Sequence, residues 1–152
     1  MHADLGGQGE DRVFFWNVHG AVGLNGENRM EDVLFVSWCI FKMRAWSHVP
    51  EATKTILRKA PLSEHCSGRE DDPLVVAIKA IQRMNPAMKV DGRVSPVVNA
   101  TGTYRHQGRN TLFLIFGLNN ALKDLHPQQF PRIDLMPEFA WQLKKAATLP
   151  FS

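Results

Sequence analysis

Val22-Gly23-Leu24-Asn25-Gly26-Glu27-Asn28 runs directly into Arg29-Met30-Glu31-Asp32-Val33-Leu34-Phe35-Val36-Ser37-Trp38-Cys39-Ile40-Phe41-Lys42-Met43. A glycine-punctuated loop hands the chain to a strongly apolar helix. Asn28 with Glu31 reads as an Asn-led capping box: the Asn side chain accepts an orphan backbone N–H, and Glu31 reaches back. Glu31 and Asp32 also place negative charge at the positive end of the helix dipole. Val33, Val36, Ile40 and Met43 form one stripe that Leu34, Trp38 and Phe41 widen, so this helix is expected to be largely buried.

Around this nucleus, 152 residues with an apolar fraction of 44%, nine Phe and four Trp are enough for one domain with a real core. The net charge of +3 and pI near 9.1 are mildly basic, but the 18 Lys and Arg are scattered. A nucleic-acid binder concentrates such charge on one face, so no nucleic-acid partner is expected. No stretch of eighteen apolar residues exists, so no membrane insertion is expected either. Met1 to Arg12 is polar and Gly-rich without the apolar region of a Sec signal. The expectation is cytoplasmic synthesis, with export by a signal-independent route left open. Cys39 lies inside the apolar helix and Cys66 in a polar connector; a disulfide between them is left open.

Residues 1–12 read as a disordered lead-in. Val13 to Val18 is a short strand or a buried extended segment. Pro50 to Lys59 predicts a short helix with Pro at its start. Asp72-Pro73 predicts the start of another, with Leu74, Ala77, Ile78, Ile81 and Met84 at helical spacing. Asp91-Gly92 is a tight-turn signal between Met88-Lys89-Val90 and Arg93-Val94, which predicts a local hairpin. Asn110 or Thr111 is expected to cap a helix running to Pro127. The 127–152 remainder is expected to be a helical extension packed on a 13–126 helical domain, with an amphipathic helix from Pro137 to about Ala147. The fold expected from this pattern is mainly α: a small helical bundle of four or five helices with a minor extended element or hairpin.

The order of these signals resembles a divergent peptidoglycan-binding-like domain, the three-helix module of bacterial cell-wall hydrolases and of proteins linked to type VI secretion. In that pattern a Val-Gly-x-x-Gly-x-Asn loop precedes Asp-Val-x-x-Val-Gln, and here Val22 to Asn28 is followed by Asp32-Val33-Leu34-Phe35-Val36. An Ile-x-x-Phe-Gln helix and Asp-Gly-Arg-Val-x-Pro correspond to Ile78 to Gln82 and Asp91 to Pro96, and Thr111-Leu112 stands where the third helix opens. Ser37 replaces the pattern's Gln, Ile81 its Phe, and Val97-Val98 its Gly-Gly, while an insertion with Tyr104 and His106 delays the third helix. The resemblance covers about 22–112. It implies a binding module: for cell-wall glycan or peptide through a polar groove at Asn25, Asn28 and Asp91, or for a protein partner.

The other chemistry-bearing residues carry duller readings. His48, His65 and Cys66 match no zinc spacing, so no metal and no cofactor are expected. Cys66 with His19, His48 or His106 makes a hydrolase only if the fold brings a pair together. Glu64, Glu70, Asp71 and Asp72 read as helix-terminus charges before they read as glycosidase carboxylates. Trp46, Tyr104, Phe130 and Trp141 are the aromatics least committed to a helix stripe, and are the candidates for a partner-binding patch. The expected function is thus a non-catalytic binding module. Its expected partner is a protein in a bacterial secretion or toxin-associated system, the chain serving as accessory, adaptor or immunity-type component. Peptidoglycan binding and a small cell-wall hydrolase are the alternatives.

Overall fold

A computed structural model of the chain describes residues 1–6, 13–97 and 114–143. Its elements in order are β1 (His2–Gly6), β2 (Val13–Asn17), β3 (Val22–Gly23), α1 (Met30–Met43), α2 (Glu51–Leu57), α3 (Pro73–Gln82), β4 (Arg93–Val94) and α4 (Leu114–Leu125), followed by 3₁₀ turns at Ile133–Leu135 and Trp141–Leu143.

The expected helical bundle is corrected to a small mixed α/β fold: among the described residues four helices are joined by two antiparallel sheets of two strands each. β1 pairs with β2 so that Ala3 faces Trp16 and Asp4 faces Phe15. Residues 2–6, read as part of a disordered lead-in, are therefore a strand. They carry little strand propensity of their own, and the aromatic β2 supplies the ladder. The second sheet joins distant segments, Val22 opposite Val94 and Gly23 opposite Arg93. The Asp91-Gly92 turn thus delivers its chain to the glycine loop rather than folding back on Met88 to Val90 as a local hairpin.

α1 is the axis of the core. Every residue from Asp32 to Ile40 is buried, Val36 and Ile40 completely, because α4, β3 and the 3₁₀ turns cover it. Asn119 of α4 binds both polar groups of one β2 residue: its Oδ1 accepts from Trp16 N at 2.7 Å and its Nδ2 donates to Trp16 O at 2.8 Å. Asn17 does the same for Val97, accepting from its N at 3.1 Å and donating to its O at 2.9 Å. β2 thus pairs with β1 on one edge and with the Asn119 amide on the other, and the Asn17 amide satisfies the buried Val97 backbone.

The C-terminal helix expected from Pro137 to about Ala147 is also corrected over residues 137–143, its remainder lying outside the described residues. A helix there needs the Pro137 and Glu138 carbonyls as acceptors for its own first turn. Lys42 Nζ takes the first at 3.1 Å and Trp38 Nε1 the second at 2.8 Å. Glu138 moreover sits at φ 61°, outside the helical region. What forms instead is an irregular strap, packed through Ile133, Met136, Ala140 and Leu143 into the same core as α1.

Candidate functional site

The glycine loop folds as a latch. Asn28 has φ 52° and is not a helix cap; its Oδ1 accepts from Gly23 N at 2.7 Å, and its Nδ2 donates to Gly23 O at 3.0 Å and Gly26 O at 3.1 Å. The capping box is corrected accordingly: α1 starts at an extended Arg29 without a side-chain cap, Glu31 is exposed, and Asp32 turns inward. Asp32 accepts from His19 N and Gly20 N and meets the buried α-ammonium of Met1. It therefore closes the preceding turn instead of serving the helix dipole.

Two neighbouring turns lock onto the same loop. Leu24 N donates to Gly92 O at 3.0 Å and Asn25 N to Gly68 O at 2.9 Å. A Cβ on Gly23 would lie 2.1 Å from Gly92 O, and Gly23 holds φ 115°, so only glycine permits this approach. Gln82, buried at the end of α3, staples the Asp91-Gly92 turn: its Oε1 accepts from Asp91 N and Gly92 N, and its Nε2 donates to Asp91 Oδ1. Asp91 Oδ1 also accepts from Arg93 N at 3.0 Å. The structure thus brings Asn25, Asn28 and Asp91 into one region, but the Asn28 carboxamide and Asp91 Oδ1 are occupied in holding turns. Only the Asn25 side chain stands exposed.

The cysteines and acidic residues are placed just as quietly. Cys39 and Cys66 are free thiols. Burial pushes the Cys39 thiol well up; burial, with the neighbouring Asp72 carboxylate adding to it, also pushes Cys66 up, so both are held as thiols. Burial works to raise the Asp72 carboxyl as well, but N–H donors from Ser67 and Leu74 outweigh it and hold it below the ordinary value. Glu70 pairs with Lys79 at 2.8 Å and Asp71 with Arg69 at 3.8 Å. Among the described residues no three His, Cys, Asp or Glu side chains gather as metal ligands would, and no helix is long and apolar enough to cross a membrane.

The open feature lies at the other end of α1. A groove of about 560 Å³ runs between the ends of α1 and α3 and the length of α4. Met43, Ile81, Met84, Met88 and Leu114 form its apolar floor, and His48, Asn85, Asn120 and Asp124 its polar rim. Trp46 stands over one side, its Nε1 donating to Asp124 Oδ2 at 3.1 Å and its ring meeting His48 edge-on at 4.9 Å. His48 Nε2 lies 3.9 Å from the same carboxylate oxygen.

Of the aromatics expected to share a partner-binding patch, the structure describes Trp46, Phe130 and Trp141, and of these three Trp46 alone lines this groove. Phe130 is half-buried against the core, with its N–H on His126 O at 3.0 Å. Trp141 is 73% exposed but belongs to the opposite end of α1, where Leu143 packs beside Met30 and Leu34. Tyr104 lies outside the described residues. Sequence reasoning missed the methionine floor: the pattern assigns Met43 and Met84 to helix stripes and Met88 to a hairpin. Met43 ends α1 within the core, while Met84 and Met88 lie two and six residues past the end of α3, so only the meeting of the helices makes one floor of them.

No family model matches the chain, and no curated protein or solved structure matches it.

Proposed function

We propose that the chain is a non-catalytic protein-binding module whose groove between α1, α3 and α4 receives an apolar segment of a partner protein. The observation that carries this reading is a groove floored by three methionines and walled by Trp46, open to solvent. Methionine side chains are flexible and polarisable and repack around inserted apolar groups. Tryptophan is among the residues that dominate interface energetics. The non-catalytic part is supported by thiols held protonated and by acidic side chains engaged at a helix start or in surface ion pairs. A protein partner is favoured over glycan because the Asn28 carboxamide and Asp91 Oδ1 are committed to the loop latch. The resemblance in the glycine-loop and Asp-Gly-Arg-Val motifs is the ground for placing that partner among secretion components or secreted toxins, with the chain as adaptor, accessory or immunity-type component.

The test is selection of binders from a displayed random peptide library against the purified protein, followed by titration against wild type and Met84→Glu. Selected peptides are expected to bind wild type and to lose at least about tenfold in affinity on Met84→Glu, as a charge placed in an apolar contact requires. In parallel the protein is sedimented with purified peptidoglycan. Peptide binding indifferent to Met84→Glu overturns the groove reading; cosedimentation abolished by Asn25→Ala replaces it with the glycan one.

A further inference from the structure

Resting on that reading, we infer that the groove's occupant is a basic amphipathic helix of the partner, with apolar residues on the methionine floor and a Lys or Arg crossing Trp46 to Asp124. The argument is electrostatic. The molecule as a whole is basic, at +3, yet among the described residues lining the groove the carboxylate of Asp124 is the only fixed formal charge. Two helices also end against it: Met43 is the last residue of α1, and Ile81 and Gln82 close α3. Helix C-termini carry about half a negative charge each, so their dipoles add to the carboxylate. Arg44, next to Met43, holds its guanidinium 4.0 Å over the Phe41 ring with its Nε donating to Phe41 O, and Arg83, the cap of α3, is exposed and does not line the groove.

Trp46 completes the site for a cation. Its indole N–H is anchored on Asp124 Oδ2 at 3.1 Å, which fixes the ring beside the carboxylate. His48 packs against the same ring at 4.9 Å and lies 3.9 Å from the same oxygen, so a guanidinium or ammonium reaches the half-exposed carboxylate from the solvent side, beside the indole. The dimensions favour a helix. From Leu114 to Asp124 along α4 is about 15 Å, the rise of roughly ten helical residues. A three-turn partner helix presents apolar anchors one turn apart, the spacing at which Leu114, Gly117 and Asn120 succeed one another along the wall.

The experiment titrates two synthetic helical peptides of about 12–15 residues, long enough to cover the groove. One alternates Leu with Lys on amphipathic spacing; the other replaces each Lys with Glu. Proteins are wild type, Asp124→Asn and Met84→Glu, with circular dichroism confirming that each is folded and Met88→Glu standing in if Met84→Glu is not. An ion pair and a cation–π contact at a partly exposed rim give about three- to fivefold each, so wild type is expected to prefer the Lys peptide by roughly tenfold. Asp124→Asn is expected to cut that preference to below about threefold while the apolar contribution persists, and added salt to do the same. Equal affinity of wild type for both peptides, or a preference untouched by Asp124→Asn, overturns the basic-partner inference while the groove still binds. Lys-peptide binding unchanged by both methionine variants overturns the groove itself.

Discussion

Asp32 and Asn28 show how far a residue's role depends on what its neighbours leave unpaired. Both sit at the start of α1, and local pattern assigns both to the helix end. In the fold, Asp32 is fully buried and receives the N–H groups of His19 and Gly20 together with the α-ammonium of Met1. Removing one partner of a buried charge pair leaves the other uncompensated, so Asp32→Ala is expected to cost about 3–5 kcal/mol, read as a lowered midpoint in urea denaturation. A loss below about 1 kcal/mol would mean the carboxylate acts as an exposed one. Asn28 holds three hydrogen bonds from a left-handed backbone conformation. Asn28→Ala loses the bonds and adds backbone strain, for an expected cost of about 2–3 kcal/mol. Asn28→Gly loses the same bonds without the strain and is expected to be less damaging. Equal costs for the two would place the whole effect in the carboxamide.

Elements were legible in the sequence where their signal is local, and illegible where a distant group decides. The start of α3 is of the first kind. Asp72 accepts from Leu74 N at 2.9 Å and Pro73 takes the first helical position, as the dipeptide predicts. The central burial of α1 is likewise visible in its stripe. The pairing of Val22-Gly23 with Arg93-Val94 is of the second kind: two-residue strands have no periodicity, and their partners are some seventy residues apart. The 3₁₀ turn at Trp141 is also of the second kind, because Lys42 and Trp38 capture the carbonyls a helix would need. The candidate site follows the same rule. Trp46 stood out because it lies past the stripe of α1, whereas the methionine floor exists only once three helices have met. The legible cap is testable through pH. The folded Asp72 carboxyl is held below its ordinary value of about 3.9, so its contribution is present above that pH and is lost as pH falls through the depressed folded value. Asp72→Ala is expected to cost about 1 kcal/mol at pH 7 through the lost cap. Asp72→Asn keeps the cap and is expected to lose less at pH 7, while showing a shallower decline in stability on acidification than wild type. Parallel wild-type and Asn curves from pH 7 to pH 3 would remove the carboxylate from the account.

At the scale of the whole molecule the 127–143 strap decides whether the chain is a helical module with an appendage or one inseparable body. The core answers through its two largest buried side chains. Trp16 Nε1 donates to Pro131 O at 2.8 Å and Trp38 Nε1 to Glu138 O at 2.8 Å, and both indoles are fully buried. Trp38 also meets Phe139 edge-on at 5.7 Å. An appendage would cover polar surface and leave the core closed without it. Here, removing the strap opens both indoles to water and withdraws Ile133, Met136 and Leu143 from the cluster around α1. Truncation after His126 is therefore expected to cost more than about 3 kcal/mol, lowering Tm by roughly 10 °C or preventing cooperative folding. Tryptophan fluorescence reads the loss of the strap: truncation after His126 is expected to shift emission to the red as Trp16 and Trp38 become wet. A cooperative melt within about 2 °C of wild type, with unshifted emission after this truncation, would show that residues 13–126 close their own core. The binding groove would then belong to a smaller unit than the structure describes, since Met43 and Trp46 are positioned by an α1 whose other face the strap covers.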